Sequence, residues 1–188
     1  DHARYIKDFM QSGITVYTAI ETQKAIEDST GERTVAIQPL REYQIGSFTV
    51  TPFNVPHESE IECYGYLIKH EEMGKLLFLT DLEYCKYNFS GLQVEHVMCE
   101  CNYSMEFVDC NEPNYEHRLR GHMSLDTALK FISTNDNPAL RNVVLIHLSD
   151  KSGNPTLFKQ KVLETLKYDT EVYVAENGLE VDFNLYPF

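Results

Sequence analysis

Two short, entirely apolar runs constrain the fold of this chain of 188 residues more than any other feature. They span 76–79 (Leu-Leu-Phe-Leu) and 143–146 (Val-Val-Leu-Ile), and each is followed within two residues by a polar side chain, Asp81 or His147. Runs of this length without polar alternation are typical of strands buried on both faces. The sequence therefore predicts a sheet whose apolar strands are covered by helices.

Helical and strand patterns alternate to the end of the chain, without an internal repeat, a low-complexity tract or a long linker. The order indicates one domain of layered sheets and helices over residues 1–188. Helices are predicted at 1–11, 21–27, 124–134, with Ser124 as N-cap, and 154–166. Strands are predicted at 14–17, 34–37, 48–54, 63–69, 75–80, 94–101, 141–148, 171–174 and 179–183.

Charge and cysteine content narrow the class of protein. Asp and Glu number 29 against 16 Lys and Arg, a net charge of −13, which disfavours extended binding to a nucleic-acid chain. The five cysteines form an odd set without CxxC spacing, so reduced thiols in a cytosol are expected rather than a disulfide framework or a zinc knuckle. Since no run resembles a secretory signal or a membrane span, a cytoplasmic protein without a membrane partner is predicted.

Side chains of the types that bind metals stand at the ends of several predicted strands and at the start of the first helical segment. His57 and Asp81 each follow a strand, His147 follows the apolar run 143–146 near the end of its strand, and the pair Asp1 and His2 opens the chain. Any one of them alone is more simply a structural histidine or a turn residue. Together they supply the imidazole and carboxylate ligands that hold Zn²⁺ and similar ions while leaving a position open for water. The combination indicates a metal site.

The motifs around these residues are "NVPHES" at His57, "GKLLFLTD" at Asp81, "IHLS" at His147, and the opening pair Asp1-His2. They resemble the metal motifs of the metallo-β-lactamase superfamily, with Asp1-His2 as the tail of its H-x-H-x-D-H signature. "CYGYLI", "CECNYS", "HRLRGHMSLDTALKFI" and "IHLSDKSGNP" resemble more closely the YycJ/WalJ-like branch, which is related to the PhnP phosphodiesterases and RNase Z. The resemblance implies an α+β fold, a four-layer αββα sandwich. The H-x-H part and the strands before it are expected to belong to a longer natural chain.

The resemblance also implies a ligand set for two divalent ions, expected to be zinc, with manganese as the alternative. Asp1, His2 and His147 would bind one ion, His57 would bind the other, and Asp81 would bridge them. Two ions that share a bridging carboxylate lie close enough together to stabilise both the attacking and the leaving oxygen of a displacement. This chemistry suits the hydrolysis of phosphodiesters.

Two residues receive catalytic roles from the same resemblance. Asp1 would orient the attacking water, and His122, in the "GHMS" motif, would polarise the phosphoryl group or protonate the leaving alkoxide. The implied function is a metal-dependent phosphodiesterase or nuclease that acts on nucleic-acid ends. A cyclic-nucleotide phosphodiesterase remains an alternative, as does a non-catalytic binding or regulatory module that lost half of its metal site.

Some positions depart from the family pattern or match no part of it. Tyr103 and Ser104 stand where the YycJ-like branch has a histidine and an aspartate, so no metal ligand is predicted there. His70, His96 and His117 match no motif and are predicted to lie at the surface or at strand ends. Without the H-x-H strands the chain is expected to expose apolar surface and sheet edges, which would favour a homodimer.

Overall fold

The computed structural model describes residues 5–27, 33–57 and 62–186. Its helices are α1 (Ile6–Gln11), α2 (Ile20–Glu27), α3 (Tyr115–Gly121), α4 (Leu125–Asn135) and α5 (Pro155–Thr165). Its strands are β1 (Val16–Thr18), β2 (Thr34–Ala36), β3 (Tyr43–Ile45), β4 (Phe48–Val55), β5 (Cys63–His70), β6 (Gly74–Leu79), β7 (His96–Glu100), β8 (Asn142–Ile146) and β9 (Glu171–Val174). Within the described ranges, no helix combines the length and apolar character that crossing a membrane requires.

Seven strands form one mixed sheet in the order β3-β4-β5-β6-β7-β8-β9. Neighbours are antiparallel from β3 to β6 and parallel from β6 to β9. Leu77, Val97 and Val143, in the middle of β6, β7 and β8, are completely or almost completely buried. The two apolar runs therefore form strands in the interior of the sheet, and their carboxyl ends lie at the same edge as that of β7.

Helices α4 and α5 supply the core on one face of this sheet. Ser124 caps α4 as predicted, because its Oγ accepts a hydrogen bond from the backbone N–H of Thr127 (3.2 Å). The buried side chains of the two helices and of the sheet form one cluster, which includes Ala128, Phe131, Ile132, Phe158 and Val162 from the helices. The start of α4 is thereby fixed directly after His122.

A small parallel sheet of β1 and β2 packs against the other face. Ala19 and Ile37 contact Tyr64, and Tyr66 packs beside them, whereas Leu67 faces the cluster under α4 and α5. This alternation along β5 is the two-residue period of a strand that separates two layers. Helix α1 contacts β1 and α2 contacts β2. Two facing sheets with helices agree with the predicted αββα sandwich, and the α+β class is confirmed.

The end of the chain differs from the prediction. Residues 179–183 form no strand, because Phe183 stacks on the ring of His96, with 4.4 Å between centroids, and the N–H of Leu185 donates to the carbonyl of Glu72 (2.7 Å). The sequence also failed to indicate β3 and α3. Strand β3 has only three residues, and α3 has a largely polar sequence without an apolar stripe.

Of the two positions predicted for His96, surface or strand end, the structure shows the strand end: His96 is the first residue of β7, and its side chain is completely buried. Its Nε2 donates to the carbonyl of Met73 (3.0 Å), and its Nδ1 accepts from the Nδ2 of Asn142 (3.0 Å). Both ring nitrogens are satisfied only in the neutral form. Burial lowers the pKa of His96 below its ordinary value of 6.5.

We expect His96 to make the stability of the protein depend on pH. Because its folded pKa is depressed, the contribution of this histidine is present above 6.5 and is lost as the pH falls from there through the folded pKa. Urea unfolding at about pH 7.5 and about pH 5.5 should show a larger loss in the wild type than in His96→Gln. His70→Gln, at a half-buried histidine, should behave as the wild type. Equal losses in wild type and His96→Gln would contradict the prediction.

Candidate metal centre

Three polar side chains follow or end neighbouring parallel strands of the large sheet. Asp81 follows β6, Glu100 is the last residue of β7, and His147 follows β8. The register pairs Leu79 with Cys99 and Glu100 with Ile146, so the three strands end at nearly the same level. Loops at such an edge commonly present functional side chains on a rigid scaffold.

A compact group of metal-binding side chains lies at this edge. One ligand atom from each of Asp81, His122 and His147 lies within 4.8 Å of the other two. The Nδ1 of His147 is 3.6 Å from the Oδ1 of Asp81, and the ring centroids of His122 and His147 are 5.0 Å apart. Two imidazoles and a carboxylate are the donor set that zinc and similar divalent ions prefer. The described residues therefore fit a divalent cation.

Asp81 and His147 share an unusual backbone conformation. Their φ angles are 54° and 57°, in the left-handed region that few residues other than glycine adopt. Side chains from neighbouring segments hold both positions. The hydroxyl of Thr80 donates to the Asp81 carboxylate (2.9 Å), the Cys63 thiol donates to the Asp81 carbonyl (3.3 Å), and the Asn102 amide donates to the His147 carbonyl (2.7 Å). Such restrained conformations are frequent at functional sites.

Glu100 is a completely buried carboxylate behind the metal-binding group. Its Oε2 accepts from the backbone N–H of Leu82 (3.0 Å), and its Oε1 accepts from the Nδ1 of His122 (2.7 Å). The Nδ1 of His147 lies 3.3 Å from the same Oε1. A carboxylate on Nδ1 fixes the tautomer and leaves Nε2 for an ion or a substrate. The bond with Glu100 raises the pKa of His147, against the opposing effect of burial.

Reasoning from the sequence assigned no role to Glu100. The signal that could have revealed it is its place directly after the apolar run 97–99 (Val-Met-Cys), in a strand that lies along the chain between those of Asp81 and His147. Cys63, which is also beside Asp81, is a different case. Burial first, and then the charge of Asp81, raise the pKa of its thiol to about 11, so it stays protonated at neutral pH.

His57 lies beside His122. Its Nδ1 donates to the carbonyl of Gly121 (2.8 Å), since a carbonyl only accepts, and this bond leaves Nε2 unprotonated in the neutral ring. Its ring centroid is 5.9 Å from that of His122. The rings of His57, His122 and His147 thus form a cluster, called here the histidine cluster. His57 lies outside the compact group of Asp81, His122 and His147. Its role as ligand of a second ion stays a prediction.

Two of the predicted ligands, Asp1 and His2, lie outside the described residues. Tyr103 is buried and pairs with Ser124 through a backbone bridge. The structure therefore brings together Asp81, His122 and His147 from the predicted set and places His57 beside His122.

His117 is a fourth imidazole of the cluster that the sequence left without a role. It is exposed, as predicted, but its ring centroid is 5.5 Å from that of His122 and 6.3 Å from that of His57. Gly121 fits between these rings, because a Cβ there would lie 3.2 Å from Cε1 of His57 and 3.6 Å from Cε1 of His117. The four-residue spacing of His117 and Gly121, which places both on one face of a helix, is the signal that could have found this histidine.

The fold is similar to that of three solved metallo-hydrolase-type structures. The metallo-beta-lactamase fold protein YhfI from Bacillus subtilis is 19% identical, with a TM-score of 0.65 over 88% of this chain and 63% of YhfI. Igni18, a metallo hydrolase from Ignicoccus hospitalis, is 15% identical, with a TM-score of 0.68 over 94% of this chain and 71% of Igni18. A diphosphatase from the PhnP family is 13% identical, with a TM-score of 0.60 over 89% of this chain and 58% of the diphosphatase.

These similarities show the metallo-β-lactamase fold. No protein-family model and no curated protein sequence matches the chain. The chain spans 63% of YhfI and 58% of the diphosphatase, which is less than two thirds of either.

Proposed function

We propose that this chain, which has the metallo-β-lactamase fold, is a metal-dependent hydrolase that cleaves phosphodiesters. One observation carries the proposal: the atoms that Asp81, His122 and His147 offer lie within 4.8 Å of one another, so that a group able to transfer a proton, His122, stands beside two side chains that can hold an ion. The buried carboxylate of Glu100 contacts both imidazoles of this group. A non-catalytic module would have no use for a buried charge aimed at two ligand-type histidines, since burying an ion is unfavourable unless it is paired.

In the proposal, Asp81 and His147 would hold one divalent ion together with Asp1 and His2. His57 would hold the second ion, and Asp81 would contribute to both. When bound, zinc or manganese ions supply Lewis-acid stabilisation of the phosphoryl oxygens and lower the pKa of water. The protein keeps His57 ready for this role through the bond from Nδ1 to Gly121, which directs the unprotonated Nε2 away from that carbonyl.

His122 is the proposed general acid. Its Nδ1 donates to Glu100 (2.7 Å), and its side chain is 15% exposed, so the remaining ring nitrogen reaches the site while the ring is held from behind. To act as an acid, the ring would carry a proton on both nitrogens, give the Nε2 proton to the leaving alkoxide and so become neutral. The carboxylate would keep the ring in the orientation that the transfer requires. Asp1 is proposed to orient the attacking water.

Small or terminal phosphodiesters are the proposed substrates. A net charge of −13 gives no general attraction for a long polyanion, whereas a single phosphodiester needs only a local binding site. The fold similarity to a PhnP-family diphosphatase supports phosphoryl chemistry by analogy. The five cysteines, all free thiols, support a cytoplasmic location.

The proposed function predicts hydrolysis that depends on added metal. Protein treated with a chelator should lose cleavage of bis-p-nitrophenyl phosphate and regain it with Zn²⁺ or Mn²⁺, because the metal supplies the Lewis acid. Metal content measured before and after treatment should follow the activity. His70→Gln, outside the histidine cluster, serves as the matched control and should respond as the wild type. Bound metal without phosphodiester cleavage under any metal condition would contradict the proposal. The rates at which the protein hydrolyses a dinucleotide and a cyclic nucleotide then distinguish a nuclease from a cyclic-nucleotide phosphodiesterase.

A further inference from the structure

We infer that Asn102 is a positioning residue that sets the spacing between His122 and His147; this rests on the proposed function and adds one residue to its site. Asn102 lies in the segment that follows β7 and is only 6% exposed. Its hydrogen bonds reach the segment that carries His122 on one side and the segment that carries His147 on the other. A residue bonded to both segments fixes how far apart the two imidazoles stand.

Two bonds of Asn102 hold the backbone around His147. The Nδ2 of Asn102 donates to the carbonyl of His147 (2.7 Å), and the main-chain carbonyl of Asn102 accepts from the N–H of Ser149 (2.8 Å). The direction of the His147 carbonyl depends on the backbone angles of His147, whose φ is 57°. Because the amide bond requires that carbonyl to point at Asn102, it favours the left-handed backbone that presents the His147 ring to the site.

A third bond ties Asn102 to the segment of His122. The N–H of Asn102 donates to the carbonyl of Met123 (2.9 Å). Met123 directly follows His122 and is completely buried. With both segments bonded to one residue, the ring centroids of His122 and His147 stand 5.0 Å apart. The main-chain bonds survive a substitution at this position, so the side-chain amide is the contribution that depends on residue type.

The chemistry of an amide suits this position. It donates a hydrogen bond without a charge, whereas an aspartate of the same shape would turn an acceptor oxygen toward a carbonyl that also accepts. The site already contains the carboxylates of Asp81 and Glu100, and Glu100 is completely buried. A neutral donor holds the backbone of His147 and leaves the pairing of these carboxylates with the histidines undisturbed.

A second buried asparagine offers a matched control. Asn137 is 3% exposed, and its Nδ2 donates to the carbonyl of Val94 (3.2 Å). Val94 precedes β7, at the opposite end of that strand from Glu100. Substitution of either asparagine by alanine removes a buried hydrogen bond and should lower the free energy of unfolding. A change at the metal centre that follows the loss of the Asn102 amide but not of the Asn137 amide is therefore a matter of position rather than of stability.

Binding of Co²⁺, a spectroscopic substitute for zinc, tests the inference independently of turnover. In Asn102→Ala the affinity for Co²⁺ should fall about 10–100-fold and the visible absorption of the bound ion should change, as expected when a group behind a ligand is lost. Asn137→Ala should unfold at lower urea concentration but keep the wild-type affinity and spectrum. Asn102→Ser, which leaves a smaller void, serves in the same test if the alanine variant does not fold.

Turnover separates this inference from the proposed function. Asn102→Ala saturated with metal should cleave bis-p-nitrophenyl phosphate with a kcat about tenfold lower and a nearly unchanged KM, because the reacting groups are misaligned while the substrate contacts remain. If the Co²⁺ affinity falls as expected but neither variant nor wild type cleaves a phosphodiester, the proposed function fails and the positioning role stands. Wild-type affinity and spectrum in a folded Asn102 variant, an equal loss of affinity in Asn137→Ala, or a wild type that binds no Co²⁺ would each overturn the inference.

Discussion

Replacing Asp81 with asparagine is expected to remove bound metal and to lower kcat/KM by more than about 10²-fold, since loss of a group behind a ligand alone reduces metal affinity or activity about 10–100-fold. Asp81 is the one carboxylate of the compact group with His122 and His147. Asparagine has the same shape and tolerates the left-handed backbone at this position, φ 54°, so the fold should survive. The change isolates the loss of a negative charge and of an oxygen ligand.

Metal content by elemental analysis, together with thermal unfolding, checks this prediction. Asp150→Asn removes an exposed carboxylate from the segment that follows His147 and should retain metal and activity. A folded Asp81→Asn protein that keeps its full metal content and turnover would show that the metal is held elsewhere.

Replacing His122 with alanine is expected to lower turnover about 10²–10⁴-fold and to leave metal content nearly intact, the range of a lost general acid. Glu100 would retain its bond from the Leu82 N–H (3.0 Å), so the buried carboxylate keeps a partner in the variant. Turnover and metal content must be measured on the same samples. If metal disappears together with activity, His122 is a ligand and the assignment as general acid is wrong.

A partner variant makes this test sharper. Glu100→Gln should reduce turnover about 10–100-fold, because the amide no longer orients His122 as the carboxylate does. In the double variant with His122→Ala, the Glu100 substitution should cause little further loss, since both act through one imidazole. Additive losses would mean that Glu100 acts through His147 instead.

The parts of the structure that follow from local pattern were predictable. Apolar runs before Asp81 and His147 placed both side chains at strand ends, and parallel pairing then brought those ends to one edge. The role of Glu100 was not predictable, because its partner His122 lies 22 residues away along the chain, and the two meet where the backbone bridge of Tyr103 and Ser124 joins their segments. The position of His117 beside the site was not predictable for a related reason. Its helix has no apolar stripe, so the sequence did not indicate which face of the helix points toward the site.

The strand predicted at 179–183 is a case in which the local pattern was clear but the prediction was wrong. Its alternating pattern is that of an edge strand, but Phe183 has a better partner in the buried ring of His96. Stacking on that ring uses the aromatic surface that a strand would have offered to a neighbour. Whether Phe183 pairs in a strand or stacks on His96 depends on which surfaces the rest of the fold leaves exposed. The short-range periodicity of the sequence holds no information about those surfaces.

The left-handed backbone at Asp81 and His147 puts folding and chemistry in conflict at two positions. For most side chains this conformation is unfavourable by on the order of 1 kcal/mol, and glycine would relieve it. Selection for stability alone would therefore drift toward glycine at both sites, and only selection for activity opposes it. In a chain descended from this one, glycine at position 81 or 147 would mark a lineage that kept the scaffold after its chemistry was no longer needed.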